Sequence, residues 1–254
     1  LRDRALGPAG ADQPTAAGVQ LMARWFGRRR RALDPEDFPP GPLRDLAGAP
    51  PADPETPISA VELLAVDVET TGLDPKTDHL LSIAWVPVIG REVVLATAHE
   101  ATVRTPEGVQ VGDSATVHRL TDDVVSAAPP VAQVLPELLR ALHGRILLAH
   151  HAPIELGFLG AAVQAEYGAR FPLQAVDTMA LQQRLISGEH GEVKGSQLRL
   201  DAARRHYSLP RYAAHHALTD AIASAELLLA QAAELERRLG HEPTLADLSP
   251  VRSK

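Results

Sequence analysis

The sequence predicts an α/β fold, a mixed β-sheet flanked by helices. Three observations lead to it. Three apolar runs of strand length follow one another at residues 61–68, 80–88 and 93–103, with short polar connections between them. Downstream, helical periodicity alternates with short buried-strand runs, the pattern of strands and helices sharing one sheet. Finally, 10 of the 21 prolines lie before Ile58, so regular structure is concentrated after that point. The organisation that follows is an N-terminal arm at 1–57, a catalytic-sized domain at 58–240 and a tail at 241–254.

Each element has its own signal. In the arm, residues 15–33 carry Leu21, Met22, Trp25 and Phe26 on one side of a short helix that ends in Arg28, Arg29, Arg30 and Arg31. Residues 34–57 are too rich in proline for a long helix or an inner strand and read as a linker. The first three strands, joined by short connections, predict an antiparallel meander. A helix is expected at 131–142 after Pro129 and Pro130, and a short buried strand at 145–149. A second helix, at 153–167, has Pro153 in its first turn, where a missing N–H costs nothing. Val176 ends another strand, and Asp177 stands where a helix N-cap belongs. The last helices are expected at 197–207 and 217–239, with a polar, glycine-containing loop at 187–196 before them.

Composition narrows the chemistry. With 45% apolar residues the chain can build a sizeable core, and with 4% aromatics that core is mostly aliphatic. The absence of cysteine excludes disulfides, thiolate zinc sites and a cysteine nucleophile. No apolar run reaches the ~18 residues of a membrane span and no segment reads as a secretory signal, so a soluble cytoplasmic protein is expected. The net charge is −7. Positive and negative residues balance through Pro57, so the excess of acid belongs to the remainder. That argues against a broad basic surface gripping duplex DNA. It is compatible with an acidic site where bound cations meet a strand end.

Three constellations carry possible chemistry. Asp67 and Glu69 close the first strand two residues apart, so they share a face. Two carboxylates ~4 Å apart at an effective dielectric of ~20 repel by about 4 kcal/mol, a repulsion that a divalent cation reverses. Thr70, Thr71 and Gly72 then make a tight polar turn able to bring backbone close to a substrate. The second constellation is LLAHHAPIELGFL (147–159), a buried strand ending at His150 and His151 and a helix whose first turn holds Glu155. The third is HHALTD (215–220). Asp220 falls on the apolar stripe of Ala223, Ser224 and Leu227, where a carboxylate needs a partner or a metal. Five helical residues span about 500°, so His215 belongs to the loop before the helix, placed to take a proton from water. Taken singly, each piece also has a structural reading: a solvated strand end, a helix-dipole glutamate, an N-terminal aspartate.

Order and context favour a common function. LLAVDVETTGLDP, LLAHHAPIELGFL and HHALTDAIASAELLL resemble the three motifs of the DEDDh exonucleases, a family that includes the epsilon proofreading subunit of bacterial DNA polymerase III. VHRL (117–120), VDTMA (176–180) and LRLDAA (198–203) add to the resemblance, which covers about residues 62–233. It departs from the family at two positions: His151 stands where Asn is common, and Glu155 where Asp is usual.

The resemblance implies an RNase H-like fold with a five-stranded mixed sheet and helices on both sides. It implies 3′→5′ hydrolysis of terminal phosphodiesters, with release of nucleoside 5′-monophosphates. Two Mg²⁺ or Mn²⁺ ions ~3.5–4 Å apart would be bound. Asp67 would bridge them, Glu69 and Asp220 would complete one site and Glu155 would serve the other. His215 would be the general base, and backbone near Thr70, Thr71, Gly72 and Leu73 would hold the terminal nucleotide. The partner would be a single-stranded 3′ end, DNA favoured, and the arm with Trp25, Phe26 and its Arg cluster could dock a protein. An RNA exonuclease like RNase T or oligoribonuclease, and a weakened nucleic-acid-binding module on the same fold, remain alternatives. The His-Asp dipeptide of HD phosphohydrolases is absent. His216 is expected to be exposed, Asp74, Asp78, Asp122 and Asp123 to serve turns or caps, and His143, His190 and His206 to lie at the surface.

Overall fold

The computed structural model of the chain describes residues 34–109, 111, 120–169, 173–187 and 193–252. The arm helix with Trp25 and Phe26, most of VHRL, and His190 lie outside them. Among the described residues the sheet has seven strands. They are β1 (Leu63–Thr70), β2 (Leu80–Ile89), β3 (Glu92–Val93), β4 (His99–Thr102), β5 (Ile146–Ala149), β6 (Gln174–Asp177) and β7 (Val251–Arg252). The five longer strands run in the order β4-β2-β1-β5-β6, as a five-stranded mixed sheet requires. β3 and β7, two residues each, extend its edges. β1 is antiparallel to β2 and parallel to β5, and β5 is parallel to β6.

The helices are α1 (Pro42–Gly48), α2 (Asp122–Ala127), α3 (Val131–Leu142), α4 (Pro153–Tyr167), α5 (Thr178–Ile186), α6 (Gly195–Leu198), α7 (Leu200–His206) and α8 (Ala217–Leu239). They cover both faces of the sheet, which is why β1 is nearly continuously apolar rather than alternating. The two faces sort by parity. Leu64, Val66 and Val68 pack with Leu135, Leu138 and Leu139 of α3 and Leu156, Phe158 and Leu159 of α4. Leu63 and Ala65 pack with Leu181 and Leu185 of α5 and Ala221, Ala225 and Leu228 of α8. The small alanines of α8 let that helix lie close against the strands. Asp67 and Glu69 continue the second parity, toward α8.

Two expected elements are interrupted. The strand at 93–103 is split into β3, a 3₁₀ turn at Leu95–Thr97, and β4. The hairpin at Gly90 (φ 59°) and Arg91 (φ 67°) starts the pairing. Pro87 then stops it. Its carbonyl accepts from Val94 N–H, so its missing N–H faces the same edge and cannot donate there. The helix at 197–207 breaks at Arg199, which is extended (φ −60°, ψ 146°). The break leaves the Leu198 carbonyl 2.8 Å from His150 Nε2.

The stretch expected to be a linker holds structure as well. Phe38 is 4% exposed and Leu43, on α1, is fully buried in the α3–α4 core. Prolines permit this because Pro42 occupies the first helical turn. In the tail, Leu245 and Leu248 join the α5–α8 core, and Leu245 N–H donates to Thr56 O at 2.9 Å. No described helix is long and apolar enough to cross a membrane.

Candidate active site

The parity of β1 and the first turn of α8 bring Asp67, Glu69 and Asp220 together, with a carboxylate oxygen from each within 4.8 Å of the others. The β1–β2 register shifts between Glu69 and Thr70, an irregularity at the last residue of the strand. Asp220 is fixed from both sides. Its N–H donates to His216 O at 2.9 Å, and its Oδ2 accepts from His215 N–H at 2.8 Å.

Electrostatics mark the cluster as strained in the absence of a counter-charge. Burial, then the charges of Glu155, Glu69, Asp220 and Glu100, hold the Asp67 carboxyl well above the usual carboxylate range. Burial raises Asp220 as well, opposed chiefly by its bond from the His215 N–H. Glu155 is 3% exposed. Burial pushes its carboxyl up to about 8 against a compensating backbone hydrogen bond. Its Oε2 has no hydrogen-bond partner among the described residues. Glu155 is not one of the three residues within 4.8 Å of each other. From the first turn of α4 its charge acts on Asp67. The donor set is all oxygen and all acidic, which suits hard divalent cations such as Mg²⁺ or Mn²⁺.

Glu100 went unnoticed in the sequence. Across the sheet, Asp67 pairs with Ala84 and Ala84 with Glu100, so the two acids stand in one row on one face. His216 Nε2 lies 3.6 Å from Glu100 Oε2. His216 is exposed, as expected, and forms the N-cap position of α8. The signal that could have found Glu100 is strand register, which the interrupted edge strand conceals.

His215 is exposed and left-handed at φ 66°, on the loop before α8 as expected. His151 is left-handed at φ 76°, and its N–H donates to Asp177 Oδ1 at 3.0 Å. That conformation is one Asn adopts more readily than His, a physical reason for Asn to be common at this position; nothing in the structure explains the His. Asp177 Oδ1 also accepts from Met179 and Ala180 N–H, so it caps α5 as expected and ties the start of α4 to it. His150 is half-buried between the Leu198 carbonyl and Thr178 Oγ1, at 2.8 Å to each. Burial lowers its pKa to about 4, so the ring is neutral at pH 7 and Nε2–H donates to Leu198 O.

The turn at 70–79 is tightly bonded. Thr70 Oγ1–H donates to Gly72 O at 2.5 Å and Thr71 N–H to His79 O at 2.9 Å. Asp74 and Asp78 are turn residues, Asp78 Oδ2 accepting from Asp74 N–H. A Cβ on Gly72 would stand 2.4 Å from Asp78 Oδ2, so any larger residue would displace the Asp78 carboxylate from its bond with Asp74 N–H. Leu73 is 77% exposed at the tip. Asp122 and Asp123 lie in the first turn of α2, with Asp122 Oδ1 accepting from Val111 N–H. His143 and His206 are exposed.

The chain matches the exonuclease family of RNase T over residues 64–228. It is 30% identical over 176 residues to a DNA polymerase III subunit epsilon-like protein of Rhodobacter capsulatus, covering 69% of this chain and 24% of that protein. It is 27% identical over 181 residues to the DNA polymerase III subunit epsilon of Treponema pallidum, covering 71% and 81% of the two chains. The fold is similar to the nuclease domain of 3′hExo, a DEDDh family member bound to rAMP. The TM-score is 0.58 and the identity 16%, with 74% of this chain and 97% of that one covered.

Proposed function

The chain belongs to the exonuclease family, and from that premise we propose that it is a metal-dependent 3′→5′ exonuclease with DNA as the favoured strand. The observation that carries this reading is the convergence of Asp67, Glu69 and Asp220 within 4.8 Å, with the buried carboxylate of Glu155 acting on Asp67. The buried, unpartnered Glu155 Oε2 supports a cation beside it, because a buried carboxyl oxygen otherwise goes without a partner.

Asp67, Glu69, Asp220 and Glu155 would hold two Mg²⁺ or Mn²⁺ ions. When bound, the ions stabilise the attacking and leaving oxygens of an in-line displacement. His215 takes a proton from the attacking water onto an imidazole nitrogen. The water oxygen bonds to the phosphorus of the last phosphodiester, and the bond from phosphorus to the 3′-oxygen of the preceding nucleotide breaks. That oxygen takes up a proton from solvent, and a nucleoside 5′-monophosphate leaves. The turn of Thr70, Thr71, Gly72 and Leu73 positions the terminal nucleotide, with Leu73 offering an exposed apolar contact to its base. The polymerase-associated relatives support DNA over RNA.

The test uses 5′-labelled single-stranded DNA and matching RNA with Mg²⁺, Mn²⁺ or EDTA, beside Asp67→Ala and His215→Ala. A ladder shortening from the 3′ end, metal-dependent and lost in both variants, is expected. Degradation of RNA alone would reassign the substrate, and no degradation of either strand would favour a binding module.

A further inference from the structure

The cluster of acids does not by itself hold His215 in place, because His215 sits on a ten-residue connection between α7 and α8. One buried cation spans that connection. Arg204, on α7, is 4% exposed. Its guanidinium donates to Ala223 O of α8 at 2.7 Å, to Pro210 O of the connection at 2.9 Å, and to Glu226 Oε2 of α8 at 2.8 Å. Tyr212 closes the arrangement. Its ring lies under the guanidinium, 4.6 Å from ring centroid to carbon, and its hydroxyl donates to Glu226 Oε1 at 2.9 Å. A planar fork of donors is needed to reach three acceptors on two elements, which a lysine ammonium on a flexible stem does not reproduce.

We infer that Arg204, Glu226 and Tyr212 form a clamp that positions the His215-bearing connection against α8. Pro210 and Tyr212 fix the connection three to five residues before His215, and the His215 N–H bond to Asp220 fixes it afterwards. Between these anchors only Ala213 and Ala214 remain, too short a stretch to let His215 wander. The left-handed His215 backbone is held in that conformation by the two anchors together. Ala223 and Glu226 lie on α8 one and two turns beyond Asp220, so the clamp registers the histidine against the helix that supplies the acid. These three residues are positioning residues; none touches the reacting atoms. The inference rests on the reading of His215 as the general base.

The experiment compares Arg204→Lys, Tyr212→Phe and Glu226→Gln with wild type and His215→Ala, in Mn²⁺, well below each variant's Tm. Tyr212 is 42% exposed, so Tyr212→Phe keeps the fold even if an Arg204 variant does not. The clamp predicts a kcat loss of about 10–100-fold for Arg204→Lys and about 5-fold for Tyr212→Phe, with KM little changed. It also predicts faster amide hydrogen exchange confined to residues 208–216. A purely structural role would lower Tm but leave kcat, and exchange in that segment, unaltered at low temperature. Wild-type kcat and exchange in Tyr212→Phe and Glu226→Gln, with His215→Ala inactive, would overturn the clamp while leaving the base intact. Full activity of His215→Ala would overturn the base reading and the clamp with it.

Discussion

Replacing Asp67 with Asn should stabilise the metal-free protein while destroying its activity. Asp67, Glu69 and Asp220 each place a carboxylate oxygen within 4.8 Å of the others. At an effective dielectric of ~20, each fully charged pair at that distance repels by about 3.5 kcal/mol. Partial protonation, expected from the raised Asp67 and Asp220 carboxyls, relieves part of this. The net gain from removing the Asp67 charge with an isosteric amide is therefore about 1–3 kcal/mol. In a domain of this size that is a Tm rise of about 3–9 °C. Scanning calorimetry in EDTA measures it directly. The order should invert with saturating Mn²⁺, because cation binding stabilises the wild type by linkage and the variant much less. An Asn variant less stable than wild type in EDTA would refute the reasoning: the acids would then be held by internal hydrogen bonds rather than by a cation.

Other predictions follow from the same physics. The Glu155 carboxyl is raised from 4.5 to about 8, so its neutral form suits the metal-free fold. That contribution is complete below pH 4.5 and is lost as pH rises through 8. In EDTA, wild type should therefore lose stability relative to Glu155→Gln between those values, and an unchanging difference would contradict it. Leu43→Ala should cost about 2–5 kcal/mol in urea unfolding, whereas a solvated linker position would change stability by under about 0.5 kcal/mol. His151→Asn should raise Tm slightly, by about 0.5–1 kcal/mol of stability, because Asn tolerates φ 76° better than His. A drop in Tm would mean that the His151 side chain does more than occupy a left-handed position.

Much of the fold was legible because its signals are local. The helices at 131–142, 153–167 and 217–239 have bounds set by prolines and apolar periodicity, and the structure keeps them. Asp67 and Glu69 share a face because strand parity is a property of two residues alone. What was illegible depends on partners distant in sequence. The edge strand breaks because Pro87, on the neighbouring strand, lacks a donor. The final helical segment breaks at Arg199, where the Leu198 carbonyl meets His150. Phe38 and Leu43 are buried by helices that form almost a hundred residues later. Glu100 joins the acidic row through register, and Arg204 is buried through its bond to Ala223 of α8, nineteen residues on.

The central claim is most directly tested with a single strand of DNA whose label sits in the 3′-terminal nucleotide, followed in a single turnover with Mn²⁺. The label is expected to leave first and as a nucleoside 5′-monophosphate, and release is expected to stop with EDTA and in Asp67→Ala. Label appearing in oligonucleotides or as a 3′-monophosphate, or released equally well in EDTA, would contradict it.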